Sequence, residues 1–134
     1  MTAESGFVAF LALTLVLLSA VVWTGLHARR RIHIPCVGAT LAALGVTIWF
    51  AEKMGEHYDL AAAGWITPVH LFLAKATTLA YLAPLATGVL TIRDASWRPR
   101  HRVCAFVVLG LTVATAITGT WMLLAAERLH ASSP

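Results

Sequence analysis

Residues 7–26 read FVAFLALTLVLLSAVVWTGL, 20 residues without a charged side chain. About 20 apolar residues are what a helix needs to cross the hydrocarbon of a bilayer. Lipid offers no hydrogen bonds, so a spanning segment must satisfy its own backbone, and a helix does so. The stretch is therefore expected to be a membrane-spanning helix. The residues before it, Met1-Thr2-Ala3-Glu4-Ser5-Gly6, carry no basic group, and the run is long for a cleaved signal. It is read as a retained span.

Comparable apolar runs follow at about 34–54, 68–92 and 103–126. Composition agrees: of 134 residues 59% are hydrophobic and 12% charged, with a mean hydropathy of +0.78. A soluble domain is nearer a quarter charged. The expected fold is all-α, an integral membrane four-helix bundle forming one domain over 1–134. The links at 27–33 and 93–102 are short, so successive helices run antiparallel. Pro35, Pro68 and Pro99 fall at or near the expected helix starts, where proline is tolerated.

The placement of charge sets an orientation. Arg29, Arg30 and Arg31 fill the first link, and Arg93, Arg98, Arg100 and Arg102 the third. The middle link, 52–68, holds Glu52, Glu56 and Asp59 against Lys53. Basic links face the cytoplasm, which puts the first and third links inside and both termini outside. The net charge of +4 is then accounted for by arginines at an anionic leaflet, with no call for nucleic acid. The five tryptophans, Trp23, Trp49, Trp65, Trp97 and Trp121, all lie near span ends, as an aromatic belt would.

Two segments echo each other. RIHIPC (31–36) and RHRVC (100–104) both run from arginine to histidine to a cysteine three places on. His33 to His101 and Cys36 to Cys104 are each a step of 68. Phe10-Leu11-Ala12 resembles Phe72-Leu73-Ala74, and Thr24-Gly25 resembles Thr87-Gly88. The chain reads as two similar antiparallel hairpins, related by an axis along the membrane normal.

Three groups of residues bear on chemistry. His33 and His101 lie on the basic side, each sharing a helix face with its cysteine, Cys36 or Cys104. Imidazoles are good axial haem ligands and arginines suit propionates. The alternative is a zinc or copper site of His33, His101, Cys36 and Cys104. The plainer account is solvated histidines with cysteines as small hydrophobes. On the other side His70 is the best single ligand candidate, in a polar pocket for haem, copper or a quinone headgroup. Lys75 lies inside the third span and is expected to pair with Glu52 or to snorkel. Thr77, Thr78, Thr87, Gly88, Thr112, Thr115, Thr118, Gly119 and Thr120 are expected to let helices approach and bond across their interface. No phosphate loop, Ser-His-Asp pattern or HExxH occurs, so hydrolysis of soluble substrates has no visible apparatus.

Taken with "VHLFLA" (69–74), "TGVLTIR" (87–93), "RHR" (100–102) and "TAITGTWMLL" (115–124), the order of motifs resembles the small four-helix membrane family that includes CtaM, a cytochrome oxidase assembly factor. The resemblance covers roughly 29–124. It implies a non-enzymatic role in maturing a haem–copper terminal oxidase in a bacterial plasma membrane, with haem b or haem a, copper or zinc as cargo or cofactor. The matching positions are His33, His70 and His101; Cys36 and Cys104 fall outside the pattern. Two other functions suit the same residues: a small b-type cytochrome, and an accessory subunit of a larger membrane complex without a ligand. A homodimer would supply further packing surface.

Overall fold

The computed structural model describes residues 2–128. Its contacts group the chain into two compact units, Met1–Tyr58 and Asp59–Pro134. The first is a hairpin of α1 (Ala3–Leu26) and α2 (Arg30–Gly55). In the second, α3 (Ile66–Ala80) and α4 (Leu82–Arg93) both pack against α5 (Arg98–Ala125). Four stretches are long and apolar enough to cross a membrane: Ala3–Leu26, Arg30–Gly55, Ile66–Arg93 and Ala95–Ala125. The all-α class and the four spans expected from hydropathy are present.

The side chains are arranged for lipid. Large apolar groups such as Val16, Phe72, Leu79 and Leu124 are exposed, Leu124 by 83%. Among the described residues the buried apolar set is small: Ala43, Met54, Ile66, Val108 and Met122. Buried beside them are Thr14, Thr24, Thr40, Thr47 and Thr77. Lipid tails are as apolar as leucine, so hydrophobic burial cannot hold two spans together, whereas close packing and hydroxyl bonds can. Each hairpin has a threonine–threonine bond near mid-height. Thr14 Oγ1 lies 3.1 Å from Thr47 Oγ1, and Thr77 Oγ1 lies 2.9 Å from Thr115 Oγ1.

Helix ends differ from the hydropathy boundaries. α2 begins at Arg30 rather than Ile34, and α5 at Arg98 rather than Val103. Hydropathy marks where lipid begins, but each further helical residue still adds a backbone bond, so the helices continue into their arginines. Pro35 consequently lies inside α2, not at its start. The third span is broken at Tyr81, between α3 and α4. Pro84 explains the break: it has no N–H for the Ala80 carbonyl, and its ring crowds that carbonyl.

The links are closed by different turns. After α1, the Arg29 N–H donates to the Thr24 carbonyl at 2.9 Å and the Ala28 N–H to the Gly25 carbonyl at 3.3 Å. This Schellman pattern wants a left-handed residue, and Ala28 supplies it with φ 53°. Before α5, the Asp94 carboxylate accepts from the Ser96 Oγ at 2.7 Å and the Ser96 N–H at 2.9 Å. These bonds favour the ionised form and hold Asp94 below its ordinary pKa. Lys53, in the last turn of α2, pairs with Glu56 just past its end at 2.9 Å, and that bond and charge lower the Glu56 pKa.

Candidate functional site

The described histidines fall into two kinds. His27 and His57 close helix ends: each Nδ1 lies on the carbonyl four residues back, Trp23 at 2.8 Å and Lys53 at 2.9 Å. A carbonyl only accepts, so these are local caps.

The other three, His33, His70 and His101, lie within spans, and each meets a Thr-Gly pair on the neighbouring helix. His33 Nδ1 is 3.1 Å from Thr24 Oγ1, His101 Nδ1 is 3.2 Å from Thr87 Oγ1, and His70 Nδ1 is 3.1 Å from Thr118 Oγ1. The glycine after each threonine lies under the imidazole. A Cβ at Gly25 would stand 3.2 Å from His33 Cε1, at Gly88 3.3 Å from His101 Cε1, and at Gly119 2.8 Å from His70 Cε1. Thr-Gly occurs at 24–25, 87–88 and 118–119 and nowhere else in the chain.

The tie selects a tautomer. The Thr24, Thr87 and Thr118 hydroxyls donate along their own helices to the Ala20, Ala83 and Ala114 carbonyls at 2.7, 2.7 and 2.9 Å. Their oxygens are then left to accept, so each Nδ1 carries the proton. For His33 the Val21 carbonyl, 3.1 Å from the same nitrogen, demands it too. The basic nitrogen of each ring is Nε2. This is the arrangement in which proteins hold metal-ligating histidines, one ring nitrogen bonded to an oxygen and the other turned to the ligand.

Height along the helices separates the three. His101 and Thr118 are 17 residues apart on α5, about 25 Å at 1.5 Å per residue. His70, tied to Thr118, therefore lies at the opposite end of the second hairpin from His101, and the two cannot ligate one ion. His33 and His101 each occupy the arginine end of their own hairpin. Arginine is stacked on tryptophan at both these ends: the Arg29 guanidinium lies 4.9 Å from the Trp23 ring and Arg100 4.7 Å from Trp97. Beside His101 a shallow groove is lined by Thr87, Trp97, Pro99, Arg100, Val103 and Cys104.

Cys36 and Cys104 are free thiols, half-buried. Among the described residues no three of His, Cys, Asp and Glu gather closely enough to hold a metal ion. The four-ligand alternative and the Glu52–Lys75 pair both draw on residues from separate units, so neither unit by itself bears on them. Sequence reading treats the threonines as packing residues and misses their tie to the histidines. The available signal was the coincidence of three Thr-Gly pairs with three span histidines.

Compared with protein-family models, curated proteins and solved structures, the chain matches none. Its class is read from the geometry: a multi-pass membrane protein of two helical hairpins, fitted with three tautomer-locked histidines.

Proposed function

We propose that the chain is a non-enzymatic membrane protein that holds haem, or a metal ion, on Nε2 of His33, His101 and His70. Its role is to assist assembly or stability of a haem–copper respiratory oxidase, as in the CtaM-like proteins it resembles. The observation that carries this reading is the threefold Nδ1 tie to a Thr-Gly pair. The tie fixes the tautomer and ring orientation of a histidine inside a span, as a ligating histidine requires. A neutral imidazole has a single basic nitrogen, which suits axial ligation of haem better than a multi-residue metal cage. When bound, the haem would bring its redox-active iron. The chain contributes the basic nitrogens, and Arg29 and Arg100 contribute positive charge suited to propionates. The arginine-rich links support an orientation with the first and third links cytoplasmic, and the resemblance supports a bacterial plasma membrane.

The test is an optical spectrum of the detergent-purified protein, oxidised and dithionite-reduced, with metal analysis of the same sample. A Soret and a sharp α band, weakened in His33→Ala and in His101→Ala, are expected. So is lowered oxidase maturation in cells carrying either variant at normal membrane levels. A featureless spectrum without metal would remove the ligand role.

One observation favours a second reading, a small b-type cytochrome. The second hairpin has tied histidines at both ends, about 25 Å apart by helical rise, as a carrier moving electrons across a membrane requires. A redox titration with two midpoints, one lost in His70→Ala and one in His101→Ala, would favour carriage over assembly.

A further inference from the structure

The cysteines of RIHIPC and RHRVC are the part of the repeated pattern that the histidine ties leave unexplained. The chain has two cysteines, and each stands three residues after a span histidine, Cys36 after His33 and Cys104 after His101. Residues three apart share a helix face, with about 5–6 Å between their Cβ atoms. His70, the third tied histidine, has Leu73 at that position. Both thiols are free and half-buried. Among the described residues no three of His, Cys, Asp and Glu gather within either hairpin to hold a metal ion. A metal cage therefore does not account for the cysteines of a hairpin. Each is instead one member of a His–Cys pair, and in the second hairpin a third residue joins that pair. Thr87 bonds His101 and lines the adjoining groove together with Arg100 and Cys104.

The order of residues has a polarity. α2 and α5 both enter the membrane from their arginine ends, so order along these helices is order in depth. An arginine comes first, Arg31 or Arg100, then the histidine, then the cysteine about 4.5 Å further in. A haem b ring has the same polarity. Its propionates share one edge, and its vinyl groups lie toward the other. With the iron on Nε2 and the propionates at the arginines, the vinyl edge is turned toward the depth of the cysteine. One helical turn is a workable reach for such a bond: in the C-x-x-C-H pattern of c-type haems the first cysteine is four residues from the ligating histidine.

We infer that Cys36 and Cys104 each bind haem b covalently, through one thioether to a vinyl group of the haem on His33 or His101. The thiol S–H adds across the vinyl double bond. Sulfur bonds to the carbon next to the ring, and the hydrogen goes to the terminal carbon, which becomes a methyl group. No atom or electron leaves, so no oxidant or reductant is consumed. The inference rests on the reading of His33 and His101 as haem ligands and adds a consequence to it. A haem held by a thioether is a resident cofactor, not cargo to be handed on.

The test uses the full-length protein purified in detergent, both as isolated and after loading with ferrous haem b under argon. Haem that resists acid–acetone extraction is measured, with the intact mass of the same sample. Two haems per chain should resist extraction, and the mass should rise by one whole haem for each cysteine. Cys36→Ser and Cys104→Ser should each halve the resistant haem, and the double variant should lose all of it. The Soret band should persist in all three, because the histidines are untouched. Cys36→Ala and Cys104→Ala, which keep the positions apolar, should repeat the losses. A Soret band whose haem is extracted completely from the parent would overturn the thioethers and leave the histidine ligands standing. Resistant haem that survives in the double variant would also overturn them. Failure to take up haem even after loading would remove the ligand reading and the thioethers together.

Discussion

The two hairpins agree at one end and part at the other. At the arginine end each ties a histidine to a threonine, His33 to Thr24 and His101 to Thr87, over a glycine. At mid-height each has a threonine pair, Thr14 with Thr47 and Thr77 with Thr115. Positions on the first helix of each hairpin correspond at a step of 63, and positions on the second at a step of 68. At the far end the first hairpin seats the Phe50 ring on Gly6, and the second seats His70 on Gly119. The step of 68 carries Phe50 onto Thr118. The close contact persists, but the ring has moved to the other helix and become an imidazole. Small residues and hydroxyls hold the scaffold, and the scaffold tolerates a change of chemistry where a ring meets a glycine.

The largest expected effects test that far end. In Gly6→Ala the new methyl meets Phe50, which also stacks on Phe10 with centroids 5.7 Å apart. In Gly119→Ala it would stand 2.8 Å from His70. Overpacking of this kind typically costs about 1–3 kcal/mol, read as a lowered melting temperature in detergent. Gly25→Ala and Gly88→Ala, with 3.2 and 3.3 Å available, should cost less, because alanine's helix preference of about 1 kcal/mol offsets part of the crowding. Equal losses at all four glycines would erase the distinction between the ends.

Next are the ties themselves. Thr24→Val and Thr87→Val each remove an acceptor from a histidine Nδ1 and should destabilise by about 1 kcal/mol, in the range of bonds between spanning helices. The 15N spectrum of the imidazoles should show the Nδ1-protonated form in the parent and a mixed population in the variants. A shift for one hairpin only would break the equivalence of His33 and His101.

The links provide a smaller contrast, one of opposite sign. Ala28 holds a left-handed φ of 53°, which costs an L-residue about 1 kcal/mol and glycine little. Ala28→Gly should therefore raise the melting temperature, and the third link has no matching site. Smallest is the acid limb of that third link. Asp94 has a lowered pKa through its bonds from Ser96, so its contribution is complete above the ordinary aspartate value of about 3.9 and is lost as pH falls through its own lower value. The Ser96 amide shift should follow that titration and become flat in Asp94→Asn. The first link, closed without a carboxylate, should show no acid limb.

Much of this fold was legible in the residues. Long apolar runs gave the spans, and RIHIPC against RHRVC gave the correspondence of His33 with His101. The match of Phe10-Leu11-Ala12 to Phe72-Leu73-Ala74 is one residue out of step with the contacts. A coincidence of apolar letters cannot fix register, whereas Thr14 and Thr77, each bonded to a threonine across its hairpin, do. Pro35 was expected near a helix start, and Pro84 carried no expectation, for a related reason. A proline near a span end looks harmless until the helix is seen to run past it, and one inside a span breaks the helix only where the neighbouring carbonyl yields.

By itself the sequence determined that this is an all-helical chain with four stretches made for lipid, because hydropathy and length are sums along the chain. The tertiary structure alone decided which threonine faces which histidine, and that all three span histidines share one tautomer. Those facts depend on how one helix is rotated and slid against the next, and no property summed along a single helix contains that information.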